Sequence, residues 1–184
     1  HLYFGDDMGR PGTLLTFFEW PQVPPGQWGI GTTHHLALVV ETHEAQLKWK
    51  RWLTDHGVPV TGVYDRRYFR SIYFTDPDGL IIEIATRQPG WSVDESPEQL
   101  GSTVIAPPQE LTSKGRDEAS IAAATWQEPV ASITADMNLH GLHHITAISS
   151  DIFRTTDFYT EALGFDVIKR TVNFDDPPWP HFYF

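Results

Sequence analysis

Two His-His pairs, His34-His35 and His143-His144, carry the most chemistry in this chain. Each opens an apolar run, His34-His35-Leu36-Ala37-Leu38 and His143-His144-Ile145-Thr146-Ala147. Alternation along a strand sends one His of each pair to each face. Glu83 stands in Leu80-Ile81-Ile82-Glu83-Ile84-Ala85 with apolar residues on both sides. A lone carboxylate in such a strand is costly to bury unless it is paired or binds a metal. Two imidazoles and one carboxylate make the facial set that holds non-haem Fe(II) and leaves positions open for substrate and oxygen. His35, Glu83 and His144 are therefore read as metal ligands. Mn(II) and Zn(II) suit the same donors. His1, His43, His56, His140 and His181 have no such placement and are read as structural or solvent-facing.

The elements around these residues read as a repeat. Over residues 30–87, His34 to Val40 is a strand. Glu44 to Asp55 is an amphipathic helix with Leu47, Trp49, Trp52 and Leu53 on or near its apolar side, and Gly57 stops it. Val58 to Tyr64 and Tyr68 to Phe74 are strands, and the turn Asp76-Pro77-Asp78-Gly79 leads into a strand from Leu80 to Thr86. The order is β-α-β-β-β. Residues 88–136, rich in Pro and small or acidic residues, read as a tail or linker with one helix near Glu118 to Thr125. From 137 to 184 the pattern restarts: a strand from Leu142 to Ser149, a helix from Phe153 to Leu163 stopped by Gly164, a strand from Asp166 to Phe174, and the start of another at Pro180.

Residues 1–20 read as two strands, His1 to Phe4 and Thr13 to Trp20, joined by turn residues. Moved behind residue 184, they complete a second β-α-β-β-β unit. The seam overlaps, since Pro180-His181-Phe182-Tyr183-Phe184 and His1-Leu2-Tyr3-Phe4-Gly5 spell the same strand, and Met137 looks like an internal start codon. The expectation is a single α+β domain, 1–184, of paired βαβββ modules in circularly permuted order. It forms a cup-shaped mixed sheet with the helices outside.

Composition narrows the function. The 184 residues include 13 Lys and Arg against 24 Asp and Glu, a net charge of −11, so a basic nucleic-acid groove is not expected. There is no cysteine, which excludes thiolate metal sites and thiol nucleophiles. No apolar run approaches the roughly 20 residues that span a bilayer, and no leader is visible, so a soluble cytoplasmic domain is expected. The 7 Trp, 6 Tyr and 11 Phe suit a planar apolar pocket, though core packing explains most of them equally well.

The chain resembles the vicinal oxygen chelate superfamily of glyoxalase, bleomycin-resistance and extradiol dioxygenase proteins. It is most similar to ring-cleaving dioxygenases of the hydroquinone type. The matching pieces are Gly141-Leu142-His143-His144-Ile145-Thr146, Asp157-Phe158-Tyr159-Thr160, Thr171-Val172-Asn173-Phe174-Asp175-Asp176-Pro177, Leu2-Tyr3-Phe4-Gly5-Asp6, Pro11 to Phe18, Asp65 to Phe74 and Gly90 to Glu95. The resemblance implies an Fe(II) enzyme that opens a catechol or hydroquinone ring with O2. It matches His35, His144 and Glu83 to the ligands, and His34 and His143 to acid–base groups near substrate. It matches Arg66, Tyr73 and Thr146 to supporting or substrate-contacting positions, with Arg67 competing for the role of Arg66. It also implies a homodimer, because small members of the fold pair and open edge strands favour pairing. A glyoxalase-like lyase or isomerase would need a second carboxylate, for which Glu19 is the candidate. A metal-free binding module would lack the ligands this chain keeps.

Overall fold

A computed structural model describes the whole chain, His1–Phe184. Its strands are β1 (Leu2–Phe4), β2 (Leu15–Phe17), β3 (Thr33–Val40), β4 (Thr61–Asp65), β5 (Arg70–Thr75), β6 (Ile81–Thr86), β7 (Leu142–Ala147), β8 (Lys169–Val172) and β9 (Pro180–Tyr183). Its helices are α1 (His43–Asp55), α2 (Glu118–Ala123) and α3 (Ile152–Asp157). The central sheet has the order β4-β5-β6-β3-β7. β3 runs parallel to β6, and the other pairs are antiparallel, so the sheet is mixed and the α+β class holds. The two repeats meet where their first strands, β3 and β7, pair.

Period-2 alternation gives this sheet two faces. Val40, Ile72 and Ile84 form a core with Ala45 and Trp49 of α1, with Met137 closing it. Ala37 and Ala85 point the other way and pack with Tyr68, Phe69 and Phe174. The metal-type residues lie on that second face. Thr42 caps α1 by accepting from the Ala45 amide, and Gly57, at φ +77°, turns the chain out of the helix as a left-handed stop must.

Gln46 couples α1 to the sheet. It is fully buried, and its Nε2 donates to the carbonyls of Arg70 at 2.7 Å and Ile84 at 2.8 Å. Gln46→Leu keeps the volume but removes both donors. It is expected to cost about 1–3 kcal/mol, the penalty for leaving buried polar groups unpartnered, read as a lower urea midpoint.

The second repeat is looser than expected. The helix over 153–163 starts as α3 and continues as a π-turn over Phe158–Ala162. The Thr156 hydroxyl donates to Ile152 O at 2.7 Å and that of Thr160 to Thr156 O at 3.0 Å, and such back-bonding opens a helical ladder. The strands meant to complete the second module do not join one sheet. β1 pairs with β2 and β8 with β9, as two separate ladders. The first hairpin meets β7 where Leu142 N donates to Gly12 O at 2.9 Å. Three-residue strands bury no continuous face, and Leu2, Tyr3, Phe4, Phe18 and Trp20 are exposed.

Residues 88–136 pack along both repeats. Lys50 Nζ donates to the carbonyls of Gly62, Ile121, Ala122 and Ala124, which ties α2 to α1. Fully buried Lys169 of β8 pairs with Asp94 at 2.7 Å and with Glu95, which anchors the second repeat to the tail of the first. No helix is long and apolar enough to cross a membrane.

Candidate metal centre

Sheet register brings the three proposed ligands together. Ala37 on β3 sits opposite Glu83 of β6 on one side and His144 of β7 on the other, and His35 lies two residues before it on the same face. The small Ala37 side chain leaves the space into which the three longer ones converge. His35 Nε2 is 3.0 Å from Glu83 Oε2 and 3.2 Å from His144 Nε2, and His144 Nε2 is 3.5 Å from Glu83 Oε2. One ligand atom from each residue falls within a 4.8 Å cluster.

This is a dry site. Glu83 is fully buried, and His35 is 6% exposed. Ser71 Oγ donates to Glu83 Oε1 at 2.5 Å, but Oε2 has no donor in hydrogen-bond geometry and faces the two imidazole nitrogens. A buried carboxylate oxygen left without a donor beside two imidazoles is the arrangement that a divalent transition metal satisfies, and the donor set fits such an ion. Burial pushes the Glu83 carboxyl up, but the adjoining His35 and His144 rings and the Ser71 bond outweigh it and bring it down to about 2. Burial lowers His144 to about 4, leaving the neutral imidazole that a ligand must be.

Ser71 escaped the sequence reading. Its signal was the short turn at 76–79, which fixes β5 against β6 and puts Ser71 and Tyr73 on the Glu83 face. Ser71→Ala is expected to weaken divalent-metal affinity roughly 10–100-fold, the usual loss when a partner orienting a ligand is removed. Titration against a chelating dye reads it.

The remaining candidates surround this cluster. The Nδ1 atoms of His34 and His35 are 2.8 Å apart, as are those of His143 and His144, so each first His braces its neighbour's ring. Thr146 Oγ1 is 3.1 Å from His35 Nε2. The Tyr73 ring stands edge-on to His35 at 5.9 Å, and Arg66 donates to Tyr73 Oη at 3.3 Å and to Asp175 Oδ2 at 2.7 Å. Arg67 turns away, at φ +68°, and pairs with Asp94 at 2.9 Å. Glu19 is exposed and stands outside the cluster, so no second carboxylate joins the three candidate ligands.

His181, read above as structural or solvent-facing, instead lies on the site side with Tyr183. The Tyr183 ring is 5.9 Å from that of His144, and Tyr183 Oη is 3.3 Å from His181 Nδ1. Burial drives His181 down to about 3, with the His144 and His35 rings adding to it. The alternation His181, Tyr183 on β9 carried this signal, but no pairing partner in the sequence pointed β9 toward the site. Phe69, Trp91 and Tyr183 form an aromatic wall against His143 and His144. A cavity of about 310 Å³ opens beside His143, lined also by Tyr68, Trp91 and Arg87.

Comparison with known proteins identifies the family. The glyoxalase/bleomycin resistance protein/dioxygenase superfamily matches over residues 3–84 and 141–184. MhqO of Bacillus subtilis (strain 168), provisionally named a ring-cleaving dioxygenase, is 44% identical over 84 residues, covering 46% of this chain and 27% of MhqO. The chlorohydroquinone/hydroquinone 1,2-dioxygenase of Sphingobium indicum is 40% identical over 90 residues, covering 46% of this chain and 27% of that protein. A solved structure from Bacillus subtilis subsp. subtilis str. 168, provisionally named a dioxygenase, superposes over 97% of this chain and 48% of its own with a TM-score of 0.61 at 24% identity, which speaks to the fold. The matches thus span about a quarter of these two curated relatives and about half of the solved structure. The matched segments are the two that bring His35, Glu83 and His144 together, and through them the chain belongs to the glyoxalase/bleomycin resistance protein/dioxygenase superfamily.

Proposed function

We propose that this chain is an Fe(II)-dependent ring-cleaving dioxygenase of the extradiol type, acting with O2 on catechols or hydroquinones. The observation that carries the reading is the donorless, fully buried Glu83 Oε2 facing the Nε2 atoms of His35 and His144. His35, Glu83 and His144 would hold the ion. Fe(II) supplies Lewis acidity and the one-electron chemistry that O2 needs to react with a phenol, whereas Mn(II) or Zn(II) would fit the same donors.

The chain's own residues do the rest. The Nδ1 contacts with His34 and His143 orient the ligand rings and leave each Nε2 lone pair facing the cluster. His143 is lowered by burial and neutral at pH 7, so it can accept a phenolic proton from a ring held against it. His181, also neutral, is a second acceptor beside His144. Phe69, Trp91 and Tyr183 offer flat apolar surface to a planar substrate and exclude water. Tyr73 and Arg66, hydrogen-bonded to each other, and Thr146 hold the rim.

We further propose a cytoplasmic homodimer, since within one chain residues 1–20 form their own hairpin and do not complete the second module. The exposed aromatics of β1, β2 and α3 support a second copy as the occupant of those faces. Light scattering reads the assembly.

The test of function is anaerobic loading with Fe(II), then O2 uptake on a panel of catechols and hydroquinones. Mn(II), Zn(II) and His35→Ala are the controls. Uptake with new ring-cleavage absorbance, lost in His35→Ala, is the expected result. Metal binding without O2 uptake on any ring overturns the dioxygenase reading.

A further inference from the structure

The Asn173-Phe174-Asp175-Asp176-Pro177 segment after β8 has no part in the metal cluster, yet Asp175 lies between two guanidinium groups. Its Oδ2 accepts from Arg66 at 2.7 Å, and its Oδ1 accepts from Arg116. Both arginine side chains are nearly buried, 12% and 11% exposed. Both also stack on one ring: the guanidinium carbon of Arg66 is 5.1 Å and that of Arg116 is 4.2 Å from the Tyr64 centroid. Arg66 is held independently by Tyr73 Oη, and Arg116 by Glu118 at 2.6 Å. The two forks are thus fixed by partners other than Asp175, and they converge on a single carboxylate. Paired guanidiniums fixed in this way form a carboxylate receptor, each giving one N–H to a different carboxylate oxygen.

We propose that Asp175 is a built-in anion that fills this receptor, and that it restricts the site to uncharged rings. The substrate clause rests on the ring-cleavage reading above; the receptor itself does not. The local charges balance, with Arg66 and Arg116 against Asp175 and Glu118. A ring carrying its own carboxylate finds no free cation beside Tyr73 and meets the Asp175 charge instead. A neutral phenol or hydroquinone meets neither. Removing the Asp175 charge leaves one uncompensated cation, already oriented, next to the tyrosine that faces His35.

Calorimetric titration of the full chain with benzoate and, separately, with phenol tests this without metal or O2. Asp175→Asn is expected to bind benzoate at least tenfold more tightly than wild type, with phenol changed less than twofold. Asp175→Glu restores the wild-type pattern, and Arg116→Gln added to Asp175→Asn cancels the gain. Asp175→Ser, smaller and still hydrogen-bonding, replaces the Asn variant if that one does not fold. Equal benzoate affinity in wild type and variant overturns the proposal, as does a parallel change for benzoate and phenol, which marks a structural role. A chain that binds benzoate as expected but cleaves no ring keeps the receptor and loses the dioxygenase reading.

Discussion

Glu83→Gln is expected to lower divalent-metal affinity by roughly a hundredfold or more, beyond the loss from any residue that merely orients a ligand. The substitution is nearly isosteric. Its carbonyl oxygen still accepts from Ser71, and its amide supplies the donor that Oε2 lacks beside His35 and His144. The metal-free variant therefore melts no lower than the metal-free wild type. Added metal separates the two. Ligand at a hundred times its Kd stabilises a folded chain by about 2.7 kcal/mol. At roughly 2–4 °C per kcal/mol for a domain of this size, wild type gains about 5–10 °C, whereas Glu83→Gln, a hundredfold weaker, gains no more than about 1–2 °C. Thermal melts with Fe(II), Mn(II) or Zn(II) under nitrogen read both numbers. An undiminished shift in the variant would place the metal elsewhere and remove the basis for the proposed chemistry.

The convergence of the three candidate ligands was legible in the sequence because they sit on strands with strong alternation. His35, Glu83 and His144 are read from apolar flanks and from a repeat, and sheet register then does what alternation promises. The first repeat was legible for the same reason. Its helix has a Thr42 cap, a Gly57 stop and an apolar stripe, and its last hairpin closes in a short turn. The second repeat was less so. β1, β2, β8 and β9 are three or four residues long, and pairing between short strands depends on partners that local pattern cannot name. His181 was set aside for that reason: nothing local says that β9 folds its His181–Tyr183 side over His144. Likewise the separation of Arg66 from Arg67 rests on one left-handed residue at Arg67, which sends neighbouring guanidiniums to opposite partners.

The same buried imidazoles make the metal-free fold acid-sensitive, in a window set by their directions of shift. His144 falls from 6.5 to about 4 and His181 from 6.5 to about 3, each chiefly because burial disfavours the cation. Unfolded, both protonate near 6.5; folded, both stay neutral well below it. Between those values the unfolded chain binds more protons, so stability falls as pH falls, and it is fully present only above about pH 7. Each such group contributes about 1.4 kcal/mol per pH unit across its window. That is roughly 3 kcal/mol for His144, and somewhat less for His181, which keeps partial contact with solvent. Glu83 acts lower down: depressed from 4.5 to about 2, it contributes stability above 4.5 that is lost as pH falls through 2. Together the two imidazoles thus remove roughly 5 kcal/mol by pH 4, a substantial share of a total stability of about 5–15 kcal/mol. Urea midpoints measured from pH 7.5 to 4 should drop steeply below 6.5. His144→Asn, which cannot take up the proton, should remove about one proton from that slope. Saturating divalent metal holds His144 unprotonated and should shift the whole decline to lower pH. A flat profile down to pH 4 would show that these imidazoles are hydrated in the folded chain, and with that the proposed buried metal site would lose its physical basis.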